Sequence, residues 1–245
     1  MKDMEWTTHL PEEVAREVNA CRDALQAACG ERLVSLTLYG SAARGIFRAP
    51  ASDLNLLIVV DRAEYDLLRA VGAAMTAAFR SVRATPYLLA AAELPCAIEA
   101  FPTRFLEMKR GYAVLAGRDV LAGAQVDPAE LAQRARQELL NTLMRFRHQV
   151  IGGDAPERIE PALRAHLPGF IKTLRTLLYL RTGEHIDDRD RLLAAGAAAF
   201  GYSGEAFAQL SAWRRQEVVF HGAEWAQVAR AFMAGVAAVS EKCGE

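Results

Sequence analysis

Lysine is scarce in this chain: Lys2, Lys109, Lys172 and Lys242 are the only ones among 245 residues. Arginine carries nearly all the positive charge, which reads first as a composition bias and only second as anion recognition. A surplus of positive charge is also missing. Lys and Arg together number 29 against 30 Asp and Glu, a formal net charge of −1, and sequence-independent nucleic-acid binding needs a broad basic surface. Nucleic acid is therefore not an expected partner. Cysteine is sparse and scattered at Cys21, Cys29, Cys96 and Cys243, without C-x-x-C or His-flanked spacing, so neither zinc nor a disulfide framework is indicated. There is no apolar run of about 18 residues to cross a membrane, and the opening MKDMEWTTHLPEEV lacks an apolar signal core. A cytoplasmic protein with reduced thiols and no membrane association is the expectation. Repeats and low-complexity tracts are absent too, and the alanine-rich Ala194 to Ala199 is simply good helix former.

What is present is an ordinary globular composition, 52% hydrophobic and 24% charged, long enough for two cores. Pro11 suits a helix start, and Val14, Val18, Cys21, Leu25 and Ala28 follow helical spacing up to Gly30. Val34 to Tyr39 is a strand, and Asp53 and Asn55 open a second one. Ala63 to about Arg80 is helical, with Leu67, Leu68, Val71, Met75 and Phe79 on its buried stripe. Thr85 to Leu89 reads as a short strand, Glu93 to Ala100 as a short helix and Phe101 to Met108 as a further strand. A first domain spans 1–123 and a second 127–245. Between them Asp127-Pro128 supplies an N-cap and a first-turn proline. Beyond it the pattern is helical throughout: Leu131 to Val150 ended by Gly152-Gly153, then Pro168 to Arg181, Arg189 to Phe200, Gly204 to Trp213 and Ala223 to Glu241, a bundle of about five or six helices.

The segment VSLTLYGSAARGIFRAPASDLNLLIVV, residues 34–60, carries the functional signal. A strand runs into Gly40, where the missing Cβ permits a tight turn and close approach to a ligand. Ser41 then begins a short helical stretch whose unpaired N–H groups, with the Ser41 hydroxyl, form a phosphate cradle. Asp53 and Asn55 lie two apart, so both side chains leave one face of their strand. One is charged and the other is not.

Gly40, Ser41, Ala43, Arg44, Gly45, Ser52, Asp53, Leu54 and Leu56 give this segment a pattern that resembles the nucleotidyltransferase superfamily, as in the small bacterial nucleotidyltransferases and the aminoglycoside nucleotidyltransferases. The resemblance covers roughly residues 10 to 122. Tyr112 to Leu121 is similar to a subgroup whose sheet domain closes with a Leu-x-Gly-x-Asp turn. The resemblance implies an α/β (α+β) mixed-sheet domain followed by an all-α helical bundle. It also implies transfer of a nucleoside monophosphate from a triphosphate to an acceptor hydroxyl. Gly40, Ser41 and Arg44 would hold phosphate, and Asp53 with position 55 would hold magnesium. A nucleotide is thus the implied small-molecule partner, and the residues leave the acceptor and the oligomeric state open.

The departures from that pattern matter as much as the match. In the family, two aspartates and a third carboxylate on a later strand hold two magnesium ions. Here the second is Asn55, which brings no charge, and the third position aligns with Arg104 in the expected Phe101 to Met108 strand. Glu99 and Glu107 are the nearby substitutes, and Asp53 is the one ligand left for a weakly held magnesium ion. Three readings compete. The preferred one is a protein that has lost metal-dependent transfer and acts by binding or regulation. A second is an active enzyme using Asp53, Asn55 and a glutamate from elsewhere, which a register slip of one residue around Arg104 would revive. A third places the activity in the C-terminal domain.

For that third reading, Arg215-Gln-Glu-Val-Val-Phe-His221 resembles the arginine-to-histidine spacing of HEPN-type ribonuclease domains, a pairing able to move protons at neutral pH; His221-Gly222 equally well ends a helix. The superfamily resemblance also puts an acceptor cleft between Asp53 and the first bundle helix, making Arg145, Arg147 and His148 candidates for an anionic ligand. A solvated basic face near a helix C-terminus explains them as well. His166 and His185 read as surface or capping residues.

Overall fold

A computed structural model describes residues 10–48 and 52–243. The opening stretch through His9, and Ala49 to Ala51 inside the motif segment, lie outside the described residues. The chain divides into two compact units, Met1–Val126 and Asp127–Glu245.

The first unit is a mixed sheet with helices on both faces. Its elements run α1 (Glu12–Cys29), β1 (Leu33–Tyr39), β2 (Leu54–Val60), α2 (Tyr65–Ala78), β3 (Ala84–Ala90), α3 (Leu94–Ala100), α4 (Pro102–Lys109) and β4 (Tyr112–Gly117). The four strands lie in the order β3-β2-β1-β4. β1 is antiparallel to both β2 and β4, whereas β2 and β3 are parallel because α2 carries the chain back between them. Alternation sorts the side chains. Leu36, Leu38, Leu54, Leu56, Ile58 and Val60 pack with Val18, Cys21, Leu25, Leu67 and Val71 of α1 and α2. Leu57 and Val59 face the other way, onto Ala97, Phe105 and Met108 of α3 and α4, with Tyr39, Tyr87 and Tyr112 beside them. Burying each such aliphatic side chain contributes roughly 1.5–3 kcal/mol. Burial also pushes the Cys21 thiol up to about 12, so it is an inert core residue.

Two expectations are corrected here. Phe101 to Met108 is not a strand: Pro102 sits in the first turn of α4, and Pro102, Phe105, Leu106 and Met108 form its buried face, a helical rather than alternating spacing. Ser41 does not start a helix but a single turn, closed by Arg44 N–H donating to the Gly40 carbonyl at 3.1 Å and Ile46 N–H to Ser41 at 3.0 Å.

After β4 the Leu-x-Gly-x-Asp segment turns as its composition demands. Gly117 has φ +76°, and a Cβ there would stand 2.3 Å from the Val34 carbonyl oxygen. Asp119 accepts from the N–H groups of Leu121 and Ala122 and from the Tyr112 hydroxyl. Gly117→Ala therefore meets both left-handed strain and a backbone collision, and is expected to cost roughly 2–4 kcal/mol, read as a lower urea midpoint. An unchanged midpoint would contradict this close approach.

The second unit is all helical: α5 (Pro128–Ile151), α6 (Pro156–Thr182), α7 (Arg189–Phe200), α8 (Gly204–Arg214) and α9 (Glu224–Lys242). Asp127 caps α5, accepting from Ala129 N–H at 2.7 Å. The core is aromatic at its centre. Phe232 lies 4.8 Å from Phe146 and 5.9 Å from Phe170, edge to face, and Phe207 is 5.1 Å from Phe170. The helix expected from Pro168 begins much earlier, at Pro156, and contains both Pro161 and Pro168. Both prolines are exposed, so the carbonyls they leave unbonded are solvated and the helix continues through them.

Candidate functional site

The site lies where β1 ends and β2 and β3 begin. Gly40 follows β1 with φ +82°, and a Cβ on it would approach the Asn55 amide nitrogen at 3.1 Å. Tyr39 is the direct ladder partner of Asn55, so the turn and the second strand meet at this point. Within the turn, the N–H groups of Ser41, Ala42 and Ala43 donate no hydrogen bond among the described residues. Ala42 is fully buried, so the N–H groups of the half-buried Ser41 and Ala43 are the ones this turn can offer an anion. Arg44 closes the turn. Its aliphatic stem packs on Gly111 and its Nε is buried without a partner, an unspent donor beside the cradle.

Asp53 stands just ahead of β2, and its neighbours are not acids. Arg83 stands just ahead of β3 and holds it with a two-pronged ion pair, Nε to Oδ1 at 2.9 Å and Nη2 to Oδ2 at 2.5 Å. That bonding holds the carboxyl below the usual Asp range, and the Arg83 guanidinium is in turn a weaker acid. The sign is that of a depressed carboxylate. The pair is intact above the ordinary Asp value of about 3.9 and is lost only as pH falls through the lower folded value. Parallel register places Asn55 opposite Thr85, and the Asn55 amide donates weakly to the Asp53 carbonyl at 3.4 Å.

β3 reads Ala-Thr-Pro-Tyr-Leu-Leu-Ala and brings no carboxylate. This strand lies beside β2, whereas residues 101–108, where the third position was expected at Arg104, include most of the helix α4. Arg104 is on α4, its guanidinium 4.3 Å from the Tyr87 ring centre. It is close enough to Tyr39 to oppose the upward shift that burial gives that phenol. Glu99 is exposed on α3, and Glu107 is held by Arg110 at 2.9 Å. Among the described residues there is no group of three His, Cys, Asp or Glu able to hold a metal ion. The residues present do not fit a divalent-metal site: the one carboxylate is paired with a guanidinium, and the ladder pair just beyond it, Asn55 and Thr85, is neutral.

Arg83, Thr85 and Tyr87 escaped the sequence reading. The signal was available, since a strand, helix, strand unit implies parallel pairing, and the residues opening β2 and β3 then lie side by side.

In the second unit the other candidates are dispersed. Arg145, Arg147 and His148 are exposed on α5. His166 lies edge-on to Phe146 at 6.2 Å, its pKa lowered by burial and then by Arg145. His185 stacks on Tyr179 with ring centres 4.2 Å apart. Arg215 ends α8 with its guanidinium on Asp190, Ser211 and Glu217. His221 lies beyond the helix and donates its backbone N–H to Glu224. No bond joins the Arg215 and His221 side chains among the described residues.

No family model matches the chain, and no curated protein sequence matches it. Its structure is similar to that of spectinomycin adenyltransferase AAD(9) from Enterococcus faecialis, solved with ATP and spectinomycin. The TM-score is 0.59 at 11% sequence identity, covering 90% of this chain and 98% of the other. No helix among the described residues is long and apolar enough to cross a membrane. The likeness is one of fold: a nucleotidyltransferase-like mixed-sheet unit followed by an all-α unit.

Proposed function

We propose that this chain is a nucleotide-binding protein, related to enzymes that move a nucleoside monophosphate from a triphosphate to an acceptor hydroxyl, in which transfer is impaired and binding or regulation is what remains. One observation carries the reading: the lone carboxylate Asp53 is held by Arg83 beside a turn with free N–H groups. In-line displacement needs stabilisation of both the attacking and leaving oxygens, which paired metal ions on several carboxylates supply. Asn55 and the acid-free β3 supply neither the charge nor the ligands. The turn, by contrast, keeps what a polyphosphate needs, namely backbone donors, the Ser41 hydroxyl and the unpaired Arg44 Nε. Fold likeness to a structure solved with ATP agrees with a nucleotide as ligand, and says nothing of catalysis.

The test is transfer of AMP from radiolabelled ATP to pooled hydroxyl acceptors, spectinomycin included, alongside ATP binding. The wild type should bind ATP and transfer nothing measurable. Asn55→Asp alone should stay inactive, because it adds one charge while Asp53 stays paired and β3 still lacks an acid. Strong turnover in either protein would contradict the proposal.

A further inference from the structure

We infer that Arg83 is the built-in cation of this site, and that its ligand is a phosphate-rich anion, a nucleoside triphosphate, taken up without a divalent metal ion. The inference rests on the nucleotide reading above and goes further by naming what replaces the metal. β2 and β3 are parallel neighbours, with Asn55 opposite Thr85 and Leu54 N–H donating to the Arg83 carbonyl at 2.9 Å. This pairing delivers Arg83 to Asp53 as part of the sheet, and the guanidinium fork matches a carboxylate with two parallel bonds. Because it is tethered, its local concentration does not depend on the medium. A divalent ion on Asp53 would have to share the carboxylate with both charge-assisted bonds and sit beside a guanidinium of like charge.

Arg83 is not used up by Asp53. A guanidinium has five N–H donors, and the Asp53 pair takes one from Nε and one from Nη2. Nη1 donates no bond among the described residues, and the side chain is 79% exposed. Arg83 is the guanidinium that acts on the Asp53 carboxylate, and its open edge is the cationic surface it presents beside the carboxylate. Those unused N–H donors suit a polyanion and offer nothing to a second cation.

Calorimetric titration with ATP, once in EDTA and once in excess magnesium, separates the alternatives for the wild type, Asp53→Asn and Arg83→Met. The wild type should bind equally in both buffers. Asp53→Asn removes the carboxylate facing the phosphates and frees the guanidinium, so it should bind magnesium-free ATP roughly fivefold more tightly. Arg83→Met should bind more weakly in EDTA and regain affinity with magnesium. If Asp53 were a metal ligand, Asp53→Asn would weaken binding and the wild type would require magnesium. Either result overturns the inference while leaving the nucleotide reading standing. Failure of all three proteins to bind ATP in either buffer overturns both.

Discussion

A Gly40→Val protein should bind ATP about tenfold or more weakly than the wild type while keeping its fold. Gly40 sits at φ +82° with its Cβ direction 3.1 Å from the Asn55 amide nitrogen. A β-branched residue in this region of φ carries strain of about 1–3 kcal/mol, and the contact with Asn55 adds to it. The cheapest relief is rotation of the turn, which displaces the Ser41 and Ala43 N–H groups that make the cradle. Losing one or two good phosphate contacts corresponds to a tenfold change or more. Calorimetry reads the affinity and circular dichroism the fold. Gly117→Ala is the control: it lies at the end of β4 and should lower stability without changing ATP affinity in the folded protein. Unchanged ATP affinity in Gly40→Val would mean that the turn is not the phosphate site.

Rebuilding a metal site should produce the other large effect. Asn55 and Thr85 are ladder partners on the face shared by Asp53, so the triple variant Asn55→Asp, Thr85→Glu, Arg83→Ala gathers three carboxylates and removes the competing cation. Hard divalent ions bind such a set through oxygens, and three negative charges repel one another until an ion joins them. Manganese binding, followed by paramagnetic relaxation of water, should tighten about tenfold or more over the wild type. ATP binding should become dependent on the metal. Asn55→Asp and Thr85→Glu without the change at Arg83 should gain less, because Asp53 stays occupied. Equal metal binding with and without Arg83 would contradict the role given to that residue.

Much of the fold was legible in the sequence for clear physical reasons. Leu36 and Leu38, and Leu54 to Val60, are runs that only a buried sheet accommodates. Asp127-Pro128 caps and starts α5 by local chemistry that needs no tertiary context. Misreading began where local and tertiary signals diverge. Phe101 to Met108 is short and apolar enough to pass for a strand, yet Pro102 and the spacing of Phe105, Leu106 and Met108 mark a helix. Pro168 looks like a helix start, and only the packing of α6 keeps the helix running through it. At the site, Gly40, Ser41 and Asp53 are close in sequence and were readable. Arg83 is 30 residues from Asp53 and joins it only through parallel register. Arg104 was read onto a strand and stands on α4, because a short apolar run does not by itself tell strand from helix.

The most direct measurement is a crystal grown with ATP and manganese, with anomalous data collected at the manganese edge. The account predicts Arg83 in two-pronged contact with Asp53, polyphosphate over the Gly40 to Arg44 turn, and no anomalous peak on the Asp53 carboxylate. A manganese ion bound to Asp53, with the Arg83 guanidinium turned away, would contradict it.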